Sequence, residues 1–360
     1  MSEPIYIFAG GGTGGHIIPG LAVAKALRAC RPTAKIIFAC SNRPIDRQIL
    51  DAQRCGVVTQ PIRPLPSLKK PWCIVGFLLA WGRSSALSRD MVRDLKPAAV
   101  LGLGGFAAAA VVRQAARAGV RSGLLNCDAV PGKANQYLAR RANVIFTQFR
   151  STKDCFPPPV RRKVRHVGCP IRAGLADGDR AEAMRHFDLR PDRKTLLVFG
   201  GSLLAESVGD SLAALADDLA PLAETWQVLH VAKNKQMQAP FCRTIEYCRR
   251  MDLAYAAADL ALCRAGAVTV AELAATATPA VLMPYPYHAD RHQKLNAAGL
   301  ARAGAAIVCE DSGNIAVNAA RLRDILPPIM KDEKRLDTMR QAAAAEAKAD
   351  AAEQVAKWLM

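Results

Sequence analysis

The sequence predicts an α/β protein with two parallel sheets, each covered by helices. Short apolar strands alternate with helical stretches along both halves of the chain, and this alternation is typical of parallel βαβ units. The 360 residues exceed what one hydrophobic core usually serves, so two domains are expected. Three strands run directly into glycines, which indicates ligand-binding loops at the carboxyl edges of the sheets.

The expected strands fall into two groups. They lie at 5–9, 35–39, 98–103, 123–126, 144–147 and 164–167 in the first half, and at 195–199, 227–231, 260–263, 280–283 and 306–308 in the second. A proline-rich segment separates the groups, so we expect an N-terminal domain at 1–167 and a C-terminal domain at 168–339. One alanine-rich amphipathic helix over 336–359 should follow, with about 340–360 packing back on the first domain.

The first strand leads into Gly-Gly-Gly-Thr-Gly-Gly at 10–15, followed by His16 and a helical pattern. Glycines let the backbone approach an anion, and the start of a helix supplies N–H donors, so the ligand should carry phosphate. Gly10, Gly12 and Gly15 also fit a dinucleotide fingerprint. The acid expected about twenty residues later is missing, which leaves only an NADP interpretation through Arg43.

The formal net charge of +18 predicts anionic partners. Basic residues frame an apolar segment at 71–81 that is too short to span a bilayer but long enough to lie at its surface. The residues expected to contact an anionic membrane are Lys69, Lys70, Trp72, Phe77 and Trp81. A buried helix with basic flanks is the alternative. Nucleic acid is not expected as a partner, because only 6% of the residues are aromatic and no nucleic-acid-binding motif occurs.

The sequence also disfavours membrane-spanning, secreted, disulfide-linked and metal-binding proteins. It has neither a window of eighteen apolar residues nor a secretory signal, so the cytoplasm is expected. The eleven cysteines form no C-x-x-C pair, which favours reduced, buried thiols and no metal. The run Asp177-Gly178-Asp179 does not follow a strand, and we interpret it as a surface turn.

Five motifs occur in the order and spacing of one family. They are Gly-Gly-Thr-Gly-Gly-His at 11–16, Gly-Leu-Gly-Gly-Phe at 102–106, Gly-Gly-Ser at 200–202, Cys-Arg-Ala-Gly-Ala-Val-Thr-Val-Ala-Glu at 263–272 and Asp-Arg-His-Gln at 290–293. Over almost its full length the chain resembles the MurG family of peptidoglycan N-acetylglucosaminyltransferases. The resemblance implies a GT-B fold: two Rossmann-like domains with parallel sheets facing across a cleft, with the donor in the C-terminal domain.

The resemblance also implies the reaction and its location. GlcNAc would move, with inversion, from UDP-GlcNAc to the muramyl 4-hydroxyl of undecaprenyl-diphosphate-linked MurNAc-pentapeptide, which converts lipid I to lipid II. The enzyme would be peripheral, at the cytoplasmic face of the inner membrane, and would need no obligatory cofactor. UDP-GlcNAc and the undecaprenyl-diphosphate-linked acceptor would be its substrates.

Site residues are implied position by position. His16 would be the general base, and Gly14, Gly15, Gly104 and Gly105 would hold the acceptor diphosphate. Glu272 would bind the ribose hydroxyls, which suits a carboxylate because it accepts two hydrogen bonds. The donor-side residues would be Thr13, Gly14, Gly15, Arg172, Ser202, Ala267, Val268, Thr269, Glu272, Asp290 and Gln293. The alternative interpretations are that Glu272 lies on a solvated helix face and that Arg264 pairs with a surface carboxylate.

The chain departs from the family pattern at two places. Leu125-Asn126-Cys127-Asp128 stands where the family has His-Glu-Gln-Asn, and Leu203-Leu204 where it usually has Gln-Gly. The acceptor role of Asp128 is therefore open, and a related polyprenyl acceptor or a variant muramyl peptide would fit the change. A UDP-GlcNAc 2-epimerase and a non-catalytic, membrane-associated scaffold of the cell-wall machinery are the alternative functions.

Overall fold

The computed structural model describes residues 3–51, 53, 55–63, 66, 72–200, 206–233, 237–288 and 290–360. The chain divides into two compact units. Unit 1 comprises Met1–Arg172 together with Ala349–Met360, and unit 2 comprises Ala173–Lys348. The junction follows Arg172, a few residues after the expected boundary at 167–168.

Unit 1 contains a seven-stranded parallel sheet in the order β3-β2-β1-β4-β5-β6-β7. Its strands are β1 (Ile5–Gly10), β2 (Lys35–Cys40), β3 (Gly56–Thr59), β4 (Ala99–Gly104), β5 (Arg121–Asn126), β6 (Val144–Thr147) and β7 (Val164–His166). Its helices are α1 (Gly14–Cys30), α2 (Pro44–Leu50), α3 (Cys73–Leu95), α4 (Phe106–Arg117), α5 (Lys133–Leu138), α6 (Pro158–Arg161) and, from the chain end, α16 (Ala351–Leu359).

Unit 2 contains a six-stranded parallel sheet in the order β10-β9-β8-β11-β12-β13. Its strands are β8 (Lys194–Phe199), β9 (Trp226–Val231), β10 (Cys242–Ile245), β11 (Leu260–Cys263), β12 (Ala280–Leu282) and β13 (Ala306–Val308). Its helices are α7 (Arg180–Phe187), α8 (Glu206–Ala213), α9 (Ala216–Leu219), α10 (Met251–Ala257), α11 (Ala267–Ala275), α12 (His292–Arg302), α13 (Ile315–Arg323), α14 (Leu326–Lys331) and α15 (Glu333–Ala345).

The central strands are apolar because both faces of each sheet are covered. β1 and β4 are almost wholly buried, and side chains from β1 enter two separate clusters: Tyr6 and Phe8 face one side, and Ile7 faces the other. Phe8 stacks on Phe38 of β2 with ring centroids 5.3 Å apart. This arrangement confirms the predicted doubly covered parallel sheets.

The sequence analysis missed β3 and β10. Each is only four residues long and lies at the edge of its sheet, and most of β3 is exposed. A short edge strand needs neither a continuous apolar run nor a regular alternation, so its pattern is weak.

The Asp177-Gly178-Asp179 segment lies outside helices and strands as expected, and the Asp179 side chain caps α7 by accepting a hydrogen bond from Glu182 N at 2.6 Å.

The single helix expected over 336–359 is wrong, because the structure has two. α15 ends at Ala345 and α16 begins at Ala351. Leu336 and Met339 of α15 pack into the core of unit 2, whereas Val355 of α16 packs into that of unit 1. Because the two apolar faces serve different cores, tertiary packing overrides the helix propensity of the alanines between them.

Candidate functional site

Two glycine-containing loops meet at the carboxyl edge of the unit 1 sheet. One follows β1 and the other follows β4, and Gly12, Gly104 and Gly105 have φ values of +93°, +102° and +74°. A Cβ atom at Gly105 would lie 2.7 Å from Gly11 O, and one at Gly10 would lie 2.7 Å from Gly104 O. The loops therefore touch through their backbones, and only glycine permits both the conformations and the close approach.

His16 lies in the first turn of α1, between these loops. Its Nδ1 is 3.1 Å from Gly11 O and 3.3 Å from Thr13 Oγ1. A carbonyl oxygen only accepts, so Nδ1 carries the proton and Nε2 of the neutral ring has the lone pair. A Cβ atom at Gly104 would lie 3.0 Å from His16 Nε2. The structure thus brings His16 together with Gly104 and Gly105, and the basic nitrogen faces the second loop.

Asp46 was missed by sequence reasoning. It lies in the first turn of α2, is completely buried, and accepts a hydrogen bond from Gly12 N at 2.8 Å through Oδ1 and 2.9 Å through Oδ2. Ser41 Oγ donates to the same carboxylate at 2.5 Å. Arg43, the residue considered for NADP binding, donates from Nη1 to Gly12 O at 2.9 Å. The glycine loop is therefore held from the β2–α2 connection.

The altered motif at the end of β5 forms a polar cluster. Asn135 Nδ2 donates to Leu125 O at 3.2 Å and to Asn126 Oδ1 at 3.0 Å, and Asn126 Nδ2 donates to Asp128 O at 2.7 Å. Asn126 and Asn135 are buried, whereas Asp128 is half-buried. Asn126 and Asn135 therefore shape the loop that carries Asp128.

The N-terminal half of α3 presents an apolar face to the surface. Large exposed side chains cluster over two turns: Trp72 immediately before the helix, then Ile74, Val75, Leu78 and Leu79. The alternative of a buried helix is therefore wrong for this segment. Phe77 and Trp81 do not belong to the exposed face: they are half-buried and stack on each other, and Trp81 also packs against Tyr137. Lys69 and Lys70 lie outside the described residues.

In unit 2, the loop after β11 is fixed by a buried cation. Arg264 donates from Nη1 to Met283 O at 2.9 Å and from Nη2 to Ser207 Oγ at 2.6 Å. The same Nη2 lies 2.8 Å from Asp311 Oδ2. The alternative of a surface ion pair for Arg264 is therefore wrong, because the guanidinium joins segments that follow β11, β12 and β13 inside the unit.

Glu272 is buried on α11, so the alternative of a solvated helix face is also wrong. Its Oε2 accepts a hydrogen bond from Tyr255 OH at 3.0 Å, and the Tyr255 ring packs edge-on against Phe199 at the end of β8. Burial, reinforced by the Glu272 charge, raises the pKa of the neighbouring Cys263 thiol far above its ordinary value. Glu272 is thus a fixed acceptor, and Cys263 stays a protonated, unreactive thiol.

The segment after β12 contains two of the predicted donor-side residues, Asp290 and Gln293. Gln293 Oε1 accepts from Tyr285 N at 2.9 Å, and Asp290 Oδ1 lies 2.7 Å from His292 Nδ1. Burial alone would raise the pKa of Asp290, but hydrogen bonds from the His292 side chain and backbone lower it below its usual range. Asp290 is therefore ionised at neutral pH.

The remaining predicted residues divide by location. Ala267, Val268 and Thr269 form the first turn of α11, directly after β11, so the helix N-terminus lies at the carboxyl edge of the sheet. Arg172 is exposed at the end of unit 1, and Ser202 lies outside the described residues together with Leu203 and Leu204.

Three further features concern possible metal sites, membrane spans and cavities in the described part of the chain. No group of three or more His, Cys, Asp or Glu side chains there is arranged to hold a metal ion, and none of its helices is long and apolar enough to cross a membrane. A cavity of about 450 Å³ in unit 2 lies at the opposite edge of the sheet, beside Lys194, Asp259 and Ala277. It does not include the predicted donor-side residues.

Comparison with known proteins agrees with this architecture. The glycosyltransferase family 28 N-terminal domain matches residues 6–147, and the family 28 C-terminal domain matches residues 195–355. These matches and the two parallel-sheet units define a glycosyltransferase with the GT-B fold.

A relative from Leifsonia xyli subsp. xyli is 35% identical over 97% of this chain and 96% of its own. Its curated name is UDP-N-acetylglucosamine--N-acetylmuramyl-(pentapeptide) pyrophosphoryl-undecaprenol N-acetylglucosamine transferase. The crystal structure of Acinetobacter baumannii MurG matches with a TM-score of 0.72 and 26% identity, covering 98% of each chain. The chain belongs to the MurG family.

The UDP-GlcNAc 2-epimerase from Neisseria meningitidis matches with a TM-score of 0.69, covering 99% of each chain. Its identity is only 13%, so this likeness concerns the fold alone.

Proposed function

We propose that this protein transfers GlcNAc from UDP-GlcNAc to the 4-hydroxyl of an undecaprenyl-diphosphate-linked MurNAc-pentapeptide, with inversion. One observation carries the assignment of the base: in a family 28 chain, His16 Nδ1 is fixed on Gly11 O, and the lone pair of Nε2 faces Gly104. An imidazole held in this tautomer is suited to accept a proton from a hydroxyl near pH 7.

The reaction balances without another reagent. The acceptor oxygen forms a bond to C1 of GlcNAc, and its proton passes to His16 Nε2. The bond between C1 and the β-phosphate oxygen breaks, and UDP leaves with the electron pair. Gly14 and Gly15 in the first turn of α1, with Gly104 and Gly105, would hold the acceptor diphosphate, because glycines expose the backbone N–H groups that bind anions.

On the donor side, Glu272 would accept hydrogen bonds from the ribose hydroxyls, and Tyr255 would orient its carboxylate. The first turn of α11, Ala267 to Thr269, would direct its N-terminus at the UDP diphosphate, assisted by Arg172 and Ser202. Asp290 and Gln293 would contact the hydroxyls of GlcNAc. Thr13 beside His16 completes the predicted set.

The exposed face of α3 supports a peripheral location at the cytoplasmic face of the inner membrane. Trp72 and four aliphatic side chains offer apolar contact, and Lys69 and Lys70 precede them in the sequence. Such a combination favours an anionic bilayer surface. Asn126 and Asp128 belong to the segment that stands where the family has its usual acceptor motif, and Asn135 holds Asn126 in place. The altered segment supports a variant acceptor with contacts through Asp128.

The test measures UDP release from UDP-GlcNAc with and without lipid I, together with mass spectrometry of the glycolipid. Acceptor-dependent release and a GlcNAc added to the lipid are the expected results. Formation of UDP-ManNAc without acceptor would instead identify an epimerase, and no reaction in either assay would indicate a scaffold. No metal or cofactor needs to be added to the expected reaction, and EDTA should leave it unchanged.

A further inference from the structure

One peptide unit connects a buried carboxylate with His16. The bond between residues 11 and 12 presents its C=O to His16 Nδ1 at 3.1 Å and its N–H to the Asp46 carboxylate at 2.8 Å. Because the N–H and the C=O of one planar peptide share their π electrons, a charge at the N–H polarises the oxygen. Asp46 and His16 are therefore coupled without touching each other.

At one end of this connection, the Asp46 carboxylate is held in a defined position. Asp46 is completely buried, and both of its oxygens accept from Gly12 N. Its negative charge affects other groups nearby, since burial and the Asp46 charge raise the pKa of the Cys40 thiol to about 11. Water contributes little screening at such a site, so the carboxylate acts on its hydrogen-bonded peptide more strongly than at the surface.

At the other end of the connection, the His16 imidazole is equally constrained. Gly11 O fixes the proton on Nδ1, which leaves Nε2 as the only ring nitrogen able to take a proton. A more negative Gly11 oxygen strengthens the bond from Nδ1–H and stabilises the ring once Nε2 has been protonated. An acid that holds an imidazole in one tautomer serves the same purpose in the serine protease triad.

We propose that Asp46 is a positioning residue that acts on His16 through the Gly11–Gly12 peptide, fixing its tautomer and favouring proton uptake at Nε2. The catalytic part of this inference rests on the proposed function, whereas the tautomer does not. A second charged side chain, Arg43, also contacts this loop, and its guanidinium donates to Gly12 O, the oxygen of the next peptide. It therefore lies one peptide away from the bond that connects Asp46 with His16.

The test uses Asp46→Asn, which keeps the shape of the side chain and an acceptor oxygen but removes the charge. Its matched control is Asp51→Asn, an exposed acid at the end of the same helix. We expect kcat to fall roughly 10- to 100-fold in D46N, less than the 10²–10⁴-fold expected from loss of the base itself. KM for UDP-GlcNAc should stay unchanged, and D51N should match the wild type.

Two measurements separate this role from a merely structural one. In an H16A background, D46N should lower the residual turnover by less than twofold, because the base on which it acts is gone. Nitrogen-15 NMR of labelled histidine should show His16 protonated at Nδ1 in the wild-type protein, and a mixture of tautomers in D46N. The wild-type spectrum decides the tautomer even if D46N does not fold.

The outcomes are distinct. A wild-type His16 protonated at Nε2, or equal effects of D46N in the wild-type and H16A backgrounds, would overturn the inference while leaving transferase activity intact. Absence of acceptor-dependent UDP release from the wild-type protein would instead overturn the proposed function. In that case a protonated Nδ1 that D46N disturbs still supports the coupling between Asp46 and His16.

Discussion

Arg264 Nη2 lies 2.8 Å from Asp311 Oδ2, and both side chains are almost completely buried, at 7% and 2% exposure. Ser207 Oγ joins the pair, because it accepts from Arg264 at 2.6 Å and donates to Asp311 at 3.0 Å. Arg264 follows β11, Asp311 follows β13, and Ser207 is in the first turn of α8, just after the residues of the third glycine loop. The ion pair therefore connects the segments after β11 and β13 with the first turn of α8.

Asp311→Asn should destabilise the protein by about 3 kcal/mol at pH 7, because it leaves the Arg264 charge buried without a counter-ion. Burial alone would raise the pKa of Asp311, but hydrogen bonds from Gly313 N, Asn318 and Arg264 together lower it. A lowered folded-state pKa stabilises the protein above the unfolded value of about 4, and this stabilisation is lost as the pH falls further.

Urea unfolding at several pH values tests this. The difference between the wild type and D311N should be largest at neutral pH and should shrink below about pH 4. Asp192→Asn, which removes an exposed partner of Arg190, is the control and should hardly change the midpoint. A difference that stays constant down to pH 3 would show that the charge of Asp311 is not what stabilises unit 2.

Much of the fold follows from local patterns in the sequence, but the contacts that organise the sites do not. The strand–glycine–helix segment around His16 was predictable because all its signals lie within about ten residues. Asp46 is 34 residues from the Gly12 amide that it binds, and Asp311 follows a different strand from Arg264. Only the order of strands in the sheet brings such residues together, and one sequence does not reveal that order.

The burial of Glu272 and Arg264 illustrates the same limit. Each could pass for a surface residue on an alanine-rich helix or loop, and both are less than a tenth exposed. Their partners, Tyr255 and Asp311, carry no motif of their own. The sequence signal for these two residues was the long ordered match to the family. It favoured a functional role at both positions, but it did not reveal their contacts with Tyr255 and Asp311.

Glu272→Ala should weaken UDP binding by about 1–3 kcal/mol, because the ribose hydroxyls lose a charged acceptor. Tyr255→Phe should have a smaller effect in the same direction, since it removes the 3.0 Å hydrogen bond that orients the carboxylate but keeps the carboxylate itself. Titration calorimetry with UDP measures both. Glu333→Ala, whose exposed side chain pairs with Lys194, is the control. Unchanged affinity in E272A would remove Glu272 from the donor site.

His16→Ala should lower turnover roughly 10²–10⁴-fold, because the acceptor hydroxyl loses its base. UDP-GlcNAc affinity should remain close to that of the wild type, since the proposed contacts to the ribose and to the GlcNAc hydroxyls, from Glu272, Asp290 and Gln293, belong to unit 2. Steady-state kinetics and calorimetry on the same preparations separate the two quantities. His186→Ala, a change at an exposed histidine that packs on Phe187, is the matched control. Turnover retained in H16A would place the base elsewhere.

The apolar face of α3 should bind anionic vesicles, and the structure identifies which side chains to change. Val75 and Leu78 are 61% and 58% exposed, so replacing both with serine removes apolar contact area without opening the core. Phe77 and Trp81 are unsuitable for this test because they are half-buried: Phe77 stacks on Trp81, and Trp81 packs against Tyr137. Vesicle sedimentation should show that the double serine variant is largely released.

The matched control is the double replacement of Ile315 and Val317 with serine, two exposed apolar residues on α13 of unit 2. It should bind vesicles like the wild type. Lys69 and Lys70 replaced by glutamate should also weaken binding, because each basic residue near the surface contributes about 1 kcal/mol. Added salt should weaken the electrostatic part as the Debye length falls below about 10 Å. Equal binding by the wild type and the Val75/Leu78 variant would show that another surface meets the lipid substrate.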